Sequence, residues 1–307
     1  MPEQIRIATR KSKLALWQAE HVAERLRRAH PGVHVELVPI TTRGDQIQDR
    51  SLAAIGGKGL FIKELEVAME EGRADIAVHS MKDVPAEMPP GMTLGALLER
   101  ADTRDALISN QFAGVESLPK GARVGTSSLR RQAQLLARRP DLAIEPLRGN
   151  VDTRLRKLDE GSLHAIVLAS AGLIRLGWES RITERVPADI CLPAVGQGAI
   201  GIECREGDAA TLKRLAVLEH SPTRIAVTAE RALSKRLGGS CQSPIAALAK
   251  LEQGMLEVTG MVAEPDGSKL WRDSVRGAPG DAERLGTQLA EQLLAAGAAA
   301  LLDRLRD

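Results

Sequence analysis

Residues 76–85 read Ile-Ala-Val-His-Ser-Met-Lys-Asp-Val-Pro, so an apolar run stops and His79, Ser80, Lys82 and Asp83 follow within five residues. The run reads as a buried parallel strand whose C-terminal end delivers these polar side chains into a crevice. Asp83 and Lys82 are therefore the first catalytic candidates. The plainer alternative is a strand-to-loop junction with a solvated Lys–Asp pair. His79 reads as structural, orienting the turn by hydrogen bonding.

A second pattern concerns anions. Hydroxyls and arginines recur where a short apolar run gives way to a helical pattern: Arg10 and Ser12; Thr126, Ser127 and Ser128 with Arg130 and Arg131; Arg148 with Arg154; and Arg175 after Ser170. Such junctions offer free backbone N–H groups and guanidinium forks, a seat for carboxylate or phosphate. Two arginines in the first turns of a helix oppose its dipole, which calls for a bound anion to offset them; a solvated basic face is the alternative. Four such junctions suit a ligand with several carboxylates. Ser12 alone would equally be an N-cap.

Cys241 follows Gly238-Gly239-Ser240 at a helix end, placing a thiol on an exposed loop. Cys204 lies in an apolar strand pattern and reads as inert, and Cys191 has no evident role. Three widely spaced cysteines match neither a disulfide framework nor a CxxC metal site, and no metal is expected. Residues 41–59 form a long stretch of little periodicity containing Gly56-Gly57-Lys58-Gly59, which reads as a lid; it lacks the GxxxxGK[ST] spacing of a phosphate loop.

Several function classes drop out on composition. With 307 residues and 43% hydrophobic content the chain builds more than one core. Two Phe, three Trp and no Tyr leave almost no stacking platform, which disfavours single-stranded nucleic acid, and the net charge is only +2. The N-terminal residues carry no apolar signal core and no window approaches a membrane span, so a cytoplasmic protein with no membrane partner is expected.

The elements needed to place these residues alternate strand and helix. Residues 5–8, 33–40 and 76–78 read as strands, with amphipathic helices at 14–28 and 60–71 between them. Charged residues 99–103 read as a hinge. A second lobe repeats the pattern through strands at 123–125, just before 145 and at 165–169, and 192–204 reads as a return crossover with a buried strand that carries the chain back to the first lobe. Helical stretches follow at 209–218 and 223–237. Strands at 244–251, 255–263 and 269–275, with a helix over 282–305, form a small α+β domain.

Taken in order, Arg6-Ile7-Ala8-Thr9-Arg10, Gly56-Gly57-Lys58-Gly59-Leu60-Phe61, Val78 to Pro85, Val124 to Arg131, Leu147-Arg148-Gly149-Asn150, Leu192 to Gly198 and Gly238 to Gln242 resemble the porphobilinogen deaminase (hydroxymethylbilane synthase) family over nearly the whole chain. The resemblance implies a transferase of tetrapyrrole and haem biosynthesis. It would condense four porphobilinogen units head to tail, with loss of ammonia, onto a covalent dipyrromethane cofactor, and release linear hydroxymethylbilane. It places that cofactor in thioether linkage on Cys241 and makes Asp83 the catalytic aspartate, with Lys82 beside it. Arg10, Ser12, Thr126, Ser127, Ser128, Arg130, Arg131, Arg148, Arg154 and Arg175 become cofactor- or substrate-binding residues, and Lys58 and Phe61 lid residues.

The expected fold is α/β: two doubly wound lobes resembling type II periplasmic-binding-protein-like folds, plus the C-terminal α+β domain presenting Cys241 to the interlobe cleft. The expected boundaries are 1–99 with 199–217 for a discontinuous first lobe, 104–193 for the second and 221–307 for the last. A monomer is expected. The rival from another class is a non-catalytic two-lobed binding protein for an acidic small molecule, which would need neither Asp83 nor a modified cysteine.

Overall fold

The computed structural model describes residues 4–46, 62–239 and 243–305. Lys58, Phe61 and Cys241 lie outside the described residues. The chain divides into two compact units, Met1–Ala101 with Ala199–Arg224, and Asp102–Gly198 with Ile225–Asp307.

The first unit is built on β1 (Gln4–Arg10), β2 (His34–Ile40), β3 (Ile76–Ser80), β4 (Met92–Leu97) and β10 (Ile200–Arg205), in the order β2-β1-β3-β10-β4. β1 runs parallel to β2 and β3, whereas β10 is antiparallel to β3 and β4. Strand alternation sends Ile5 and Ile7 to one face and Ala8 to the other. Helix α1 (Lys13–Ala29) covers the first face through Ala19, Val22, Ala23 and Leu26, spaced three or four apart. The short α2 (Arg43–Gln46) follows β2, and α3 (Lys63–Glu70) covers the second face with Leu65, Ala68 and Met69. α7 (Ala209–Leu215) adds Leu215 to the α1 side.

In the second unit, β5 (Asp105–Ile108), β6 (Arg123–Gly125), β7 (Ala143–Glu145), β8 (Ala165–Ala169) and β9 (Glu184–Val186) form a sheet in the order β7-β6-β8-β5-β9. β6 is parallel to β7 and β8, and β5 is antiparallel to β8 and β9. α4 (Leu129–Arg138) packs Leu135 on Val124, Ala165 and Val167. α5 (Val151–Asp159) and α6 (Ser170–Arg175) bring Leu155, Leu158 and Leu173 to Ile166 and Leu168 on the opposite face. Both α/β sheets are thus covered on two faces, as a doubly wound fold requires.

The C-terminal sheet is the antiparallel meander β11 (Ile245–Glu252), β12 (Met255–Ala263) and β13 (Leu270–Gly277). Its two faces have different partners. Ala247, Val258 and Val262 meet α8 (Ser221–Leu237) and α9 (Ala282–Leu293), while Ala246, Leu248 and Met261 pack with Ala133 of α4 and Leu192. At the α8–α9 crossing the helices are so close that a Cβ on Gly286 would sit 2.0 Å from the carbonyl oxygen of Ala229. Gly286→Ala is accordingly expected to destabilise the protein by about 1–3 kcal/mol, read as a lower urea midpoint.

The sequence reading differs from the structure in a few elements. The single helix expected over 282–305 is interrupted by a π turn at Leu294–Ala298, with Gly297 at φ +112°, before α10 (Ala299–Arg304). At the break the Ala296 carbonyl accepts a hydrogen bond from Trp271 Nε1 at 2.8 Å. Strands β4, β5 and β9 had no expected counterpart. Among the described residues Pro279–Arg304 is long and apolar enough to cross a membrane, yet its Leu285, Leu289 and Leu293 are buried in the core cluster that holds Val258 and Val262.

Candidate functional site

In the first unit, the parallel pairing of β1 with β3 puts Arg10, Ser12, Lys82 and Asp83 at the same, C-terminal, end of the sheet. This is where open α/β sheets collect ligand-binding residues. Ser12 is the N-cap of α1, its Oγ accepting from Ala15 N at 3.3 Å. Capping uses the oxygen as an acceptor, so the Ser12 O–H donates to nothing among the described residues. Arg10 forms an ion pair with Asp45, Nε lying 3.1 Å from Oδ1. Burial works to raise the Asp45 carboxyl, but the Arg10 guanidinium outweighs it and holds that carboxyl below its ordinary value.

β3 ends in a 3₁₀ turn, Met81–Asp83, closed by Val84 N donating to Met81 O at 3.1 Å. Lys82 and Asp83 are both half-buried. The Asp83 carboxylate has no hydrogen-bond or ion-pair partner among the described residues. His79 is buried behind the turn, its Nε2 2.8 Å from Glu203 Oε2 on β10.

In the second unit, the C-terminal ends of the parallel strands β6, β7 and β8 carry the other candidates. Thr126 Oγ1 accepts from Ser128 N at 3.2 Å, and Ser128 Oγ in turn caps α4 by accepting from Arg131 N at 3.4 Å. Ser127 is locked to Leu147 in both directions, donating to its carbonyl and accepting from its N–H. As with Ser12, the hydroxyl hydrogens of Thr126 and Ser128 have no acceptor among the described residues. Arg148 is half-buried before α5, and Arg154 Nε donates to Gly149 O at 2.8 Å.

Arg130 and Arg131 are buried and turned inward onto Asp105, which is fully enclosed. Arg130 Nη1 lies 2.7 Å from Asp105 Oδ2 and also from Leu192 O; Arg131 Nη2 lies 2.7 Å from Asp105 Oδ1. Gln197 Nε2 and Cys191 Sγ complete the shell, at 3.0 and 3.3 Å. Burial would push the Asp105 carboxyl up, but the two arginines hold it far below the carboxylate range. Burial pushes the Cys191 thiol up to about 12 and Cys204 up to about 11. The anion called for by two arginines at the start of α4 is thus supplied by the chain itself.

Arg175, at the end of α6, donates from Nη2 to Gly198 O at 2.6 Å, and burial pushes its guanidinium down to about 10. Ser170, which directly follows the buried run of β8, marks this junction in the sequence but is not among the expected binding residues. Its Oγ is buried and has no hydrogen-bond partner among the described residues. A buried hydroxyl wanting a partner, a desolvated guanidinium and spare hydroxyl donors form a donor set that fits carboxylates.

Comparisons with solved structures find similarity only at a low level. The periplasmic VFT2 domain of Bordetella pertussis BvgS is 16% identical, with 69% of this chain and 85% of that chain covered and a TM-score of 0.42. The Escherichia coli periplasmic aliphatic sulphonate binding protein SsuA is 14% identical, with 76% and 70% covered and a TM-score of 0.43. A nutrient binding protein from Burkholderia cenocepacia bound to methionine is 15% identical, with 69% and 90% covered and a TM-score of 0.44. Family models are more specific. The model described as porphobilinogen deaminase, dipyromethane cofactor binding domain, matches residues 5–213, and that of the porphobilinogen deaminase C-terminal domain matches residues 224–295. With only residues 214–223 between the two matches, the chain belongs to the porphobilinogen deaminase family.

Proposed function

We propose a division of labour for the family's transferase reaction, the head-to-tail condensation of porphobilinogen with loss of ammonia that makes hydroxymethylbilane. Asp83 serves the reacting centre. In each condensation the bond from the side-arm carbon to nitrogen breaks, ammonia leaves, and a carbon–carbon bond forms to the free α-carbon of the growing chain, which then loses its proton. A carboxylate beside this centre accepts hydrogen bonds from pyrrole N–H groups, stabilises the positive charge left by ammonia and takes up the α-proton. The observation that carries the assignment is that Asp83 is half-buried on a short turn and has no partner among the described residues to consume its lone pairs.

Lys82, Arg10, Arg148, Arg154 and Arg175, with the hydroxyls of Ser12, Thr126, Ser127 and Ser128, take the acetate and propionate carboxylates. Arginine forks suit this work better than point charges because each carboxylate can be gripped by two parallel hydrogen bonds. Arg130 and Arg131 contribute through whichever donors Asp105 leaves over. Lys58 and Phe61 act from the lid. The donor set of the second unit fits the dipyrromethane, which Cys241 holds by a thioether. When bound, that group supplies the pyrrole α-carbon that is extended. The same reading makes the protein a cytoplasmic monomer that takes a small-molecule substrate.

Intact mass tests the attachment. Protein purified from cells that make porphobilinogen is expected to carry the mass of two pyrrole units, and Cys241→Ser is expected to lack it. An unmodified native chain, or an adduct that survives in the Ser variant, would overturn the assignment.

A further inference from the structure

The C-terminal end of β3 has less support from the sheet than its start. β1 pairs with β3 only at Ile7–Ile76 and Ala8–Ala77. From Val78 onward the strand has one hydrogen-bonded neighbour, β10, through Val78–Ile202, His79–Gly201 and Ser80–Ile200. Asp83 hangs one turn beyond that half-supported end. Three side-chain devices make up the difference. Ser80 Oγ accepts from Gln18 Nε2 of α1 at 2.9 Å. Met81 packs over Gly201, where a Cβ would come within 2.2 Å of the methionine sulfur. His79 Nε2 donates to Glu203 Oε2 at 2.8 Å.

The third device differs in kind from the other two. Glu203 is fully buried, and its Oε1 has no hydrogen-bond partner among the described residues. A buried, half-satisfied carboxylate is less stabilising than an apolar side chain of the same volume. Its charge is felt across the layer: burial first and Glu203 second push the carboxyl of Glu66 on α3 upward, with His79 acting against them. Glu70 and Lys63 are the other charged groups of α3 that bear on Glu66. His79 and Glu203 are too enclosed to meet a substrate, so an effect on the reaction has to pass through the backbone they hold.

We infer that His79 and Glu203 are a positioning pair, fixing the Met81–Asp83 turn and with it the direction in which the Asp83 carboxylate points. The inference rests on the reading of Asp83 as the catalytic carboxylate. A directional hydrogen bond defines the strand end in a way that apolar packing does not, and small displacements of a reacting group are costly in rate.

The test separates stability from rate. In His79→Leu/Glu203→Leu both polar partners become apolar, so the holoenzyme is expected to melt within a few degrees of wild type and to keep its cofactor by intact mass. Its kcat per loaded enzyme is expected to fall roughly tenfold or more while KM stays within about twofold. A double variant with full kcat overturns the inference. If that variant does not fold, single substitutions decide: Gln at 79 keeps a donor near the Nε2 position and recovers most of the rate, whereas Asn does not. Equal rates in His79→Gln and His79→Asn overturn it. Asp83→Asn is measured alongside. An inactive Asp83→Asn with a fully active double variant sinks the positioning pair alone, whereas an active Asp83→Asn sinks the catalytic reading beneath it.

Discussion

Asp83→Ala is expected to lower hydroxymethylbilane formation by about three orders of magnitude, the scale on which positioned proton transfer and charge stabilisation operate. The fold should survive. The turn that carries Asp83 is closed by backbone bonds, Val84 N to Met81 O at 3.1 Å and Met81 N to Ala199 O at 3.0 Å, and the side chain contributes no hydrogen bond among the described residues. Removing it therefore leaves no orphaned partner behind. The measurement is the turnover rate per enzyme shown by intact mass to carry its cofactor, with a thermal melt as the control. Normal turnover in a loaded, folded variant would remove Asp83 from the chemistry.

The largest stability effect is expected at Asp105. Asp105→Asn leaves Arg130 and Arg131 buried with their shared counter-charge gone, and breaking a buried pair in this way costs about 3–5 kcal/mol. Urea denaturation of the holoenzyme at neutral pH reads the loss. Its pH dependence has a definite sign. The folded carboxyl titrates far below the unfolded value near ~3.9, so its contribution is complete above that value and is lost as pH falls below it. Wild type should thus converge on Asp105→Asn in strong acid and exceed it everywhere above about pH 4. A difference that grows on acidification would contradict the assignment.

Local order was legible in the sequence wherever periodicity and turn chemistry agreed. The buried run before His79, the helix of Leu14 to Leu26 and the meander around 255–263 all stand where their patterns put them. Ser12 is a helix cap, as its position suggested, and so is Ser128; the capping geometry leaves both hydroxyl hydrogens available. What spacing could not reveal was long-range pairing. Two arginines at the head of α4 announced a missing negative charge, but nothing near them identified Asp105, 25 residues upstream in the antiparallel strand β5. Cys191 looked idle for the same reason, since its thiol is defined by that carboxylate. His79 could be read as a brace for its turn, yet Glu203 is 124 positions away and meets it only because β10 enters the sheet beside β3. Gly297 inside an alanine-rich run concealed the break in the last helix.

The position of β10 also governs how the protein comes into being. The sheet order β2-β1-β3-β10-β4 means that β3 and β4, both made within the first hundred residues, have no partner between them until Ile200–Arg205 has been synthesised. Nascent chains shorter than that expose two unpaired strand edges, while residues 102–198 already contain every strand of the second sheet. The seat of Asp83 is consequently assembled late, by a segment that must travel back across an intervening stretch of chain. Non-local closure of this kind is slow and prone to mispairing, so premature termination before residue 200 is expected to yield an aggregation-prone fragment in place of a smaller working enzyme.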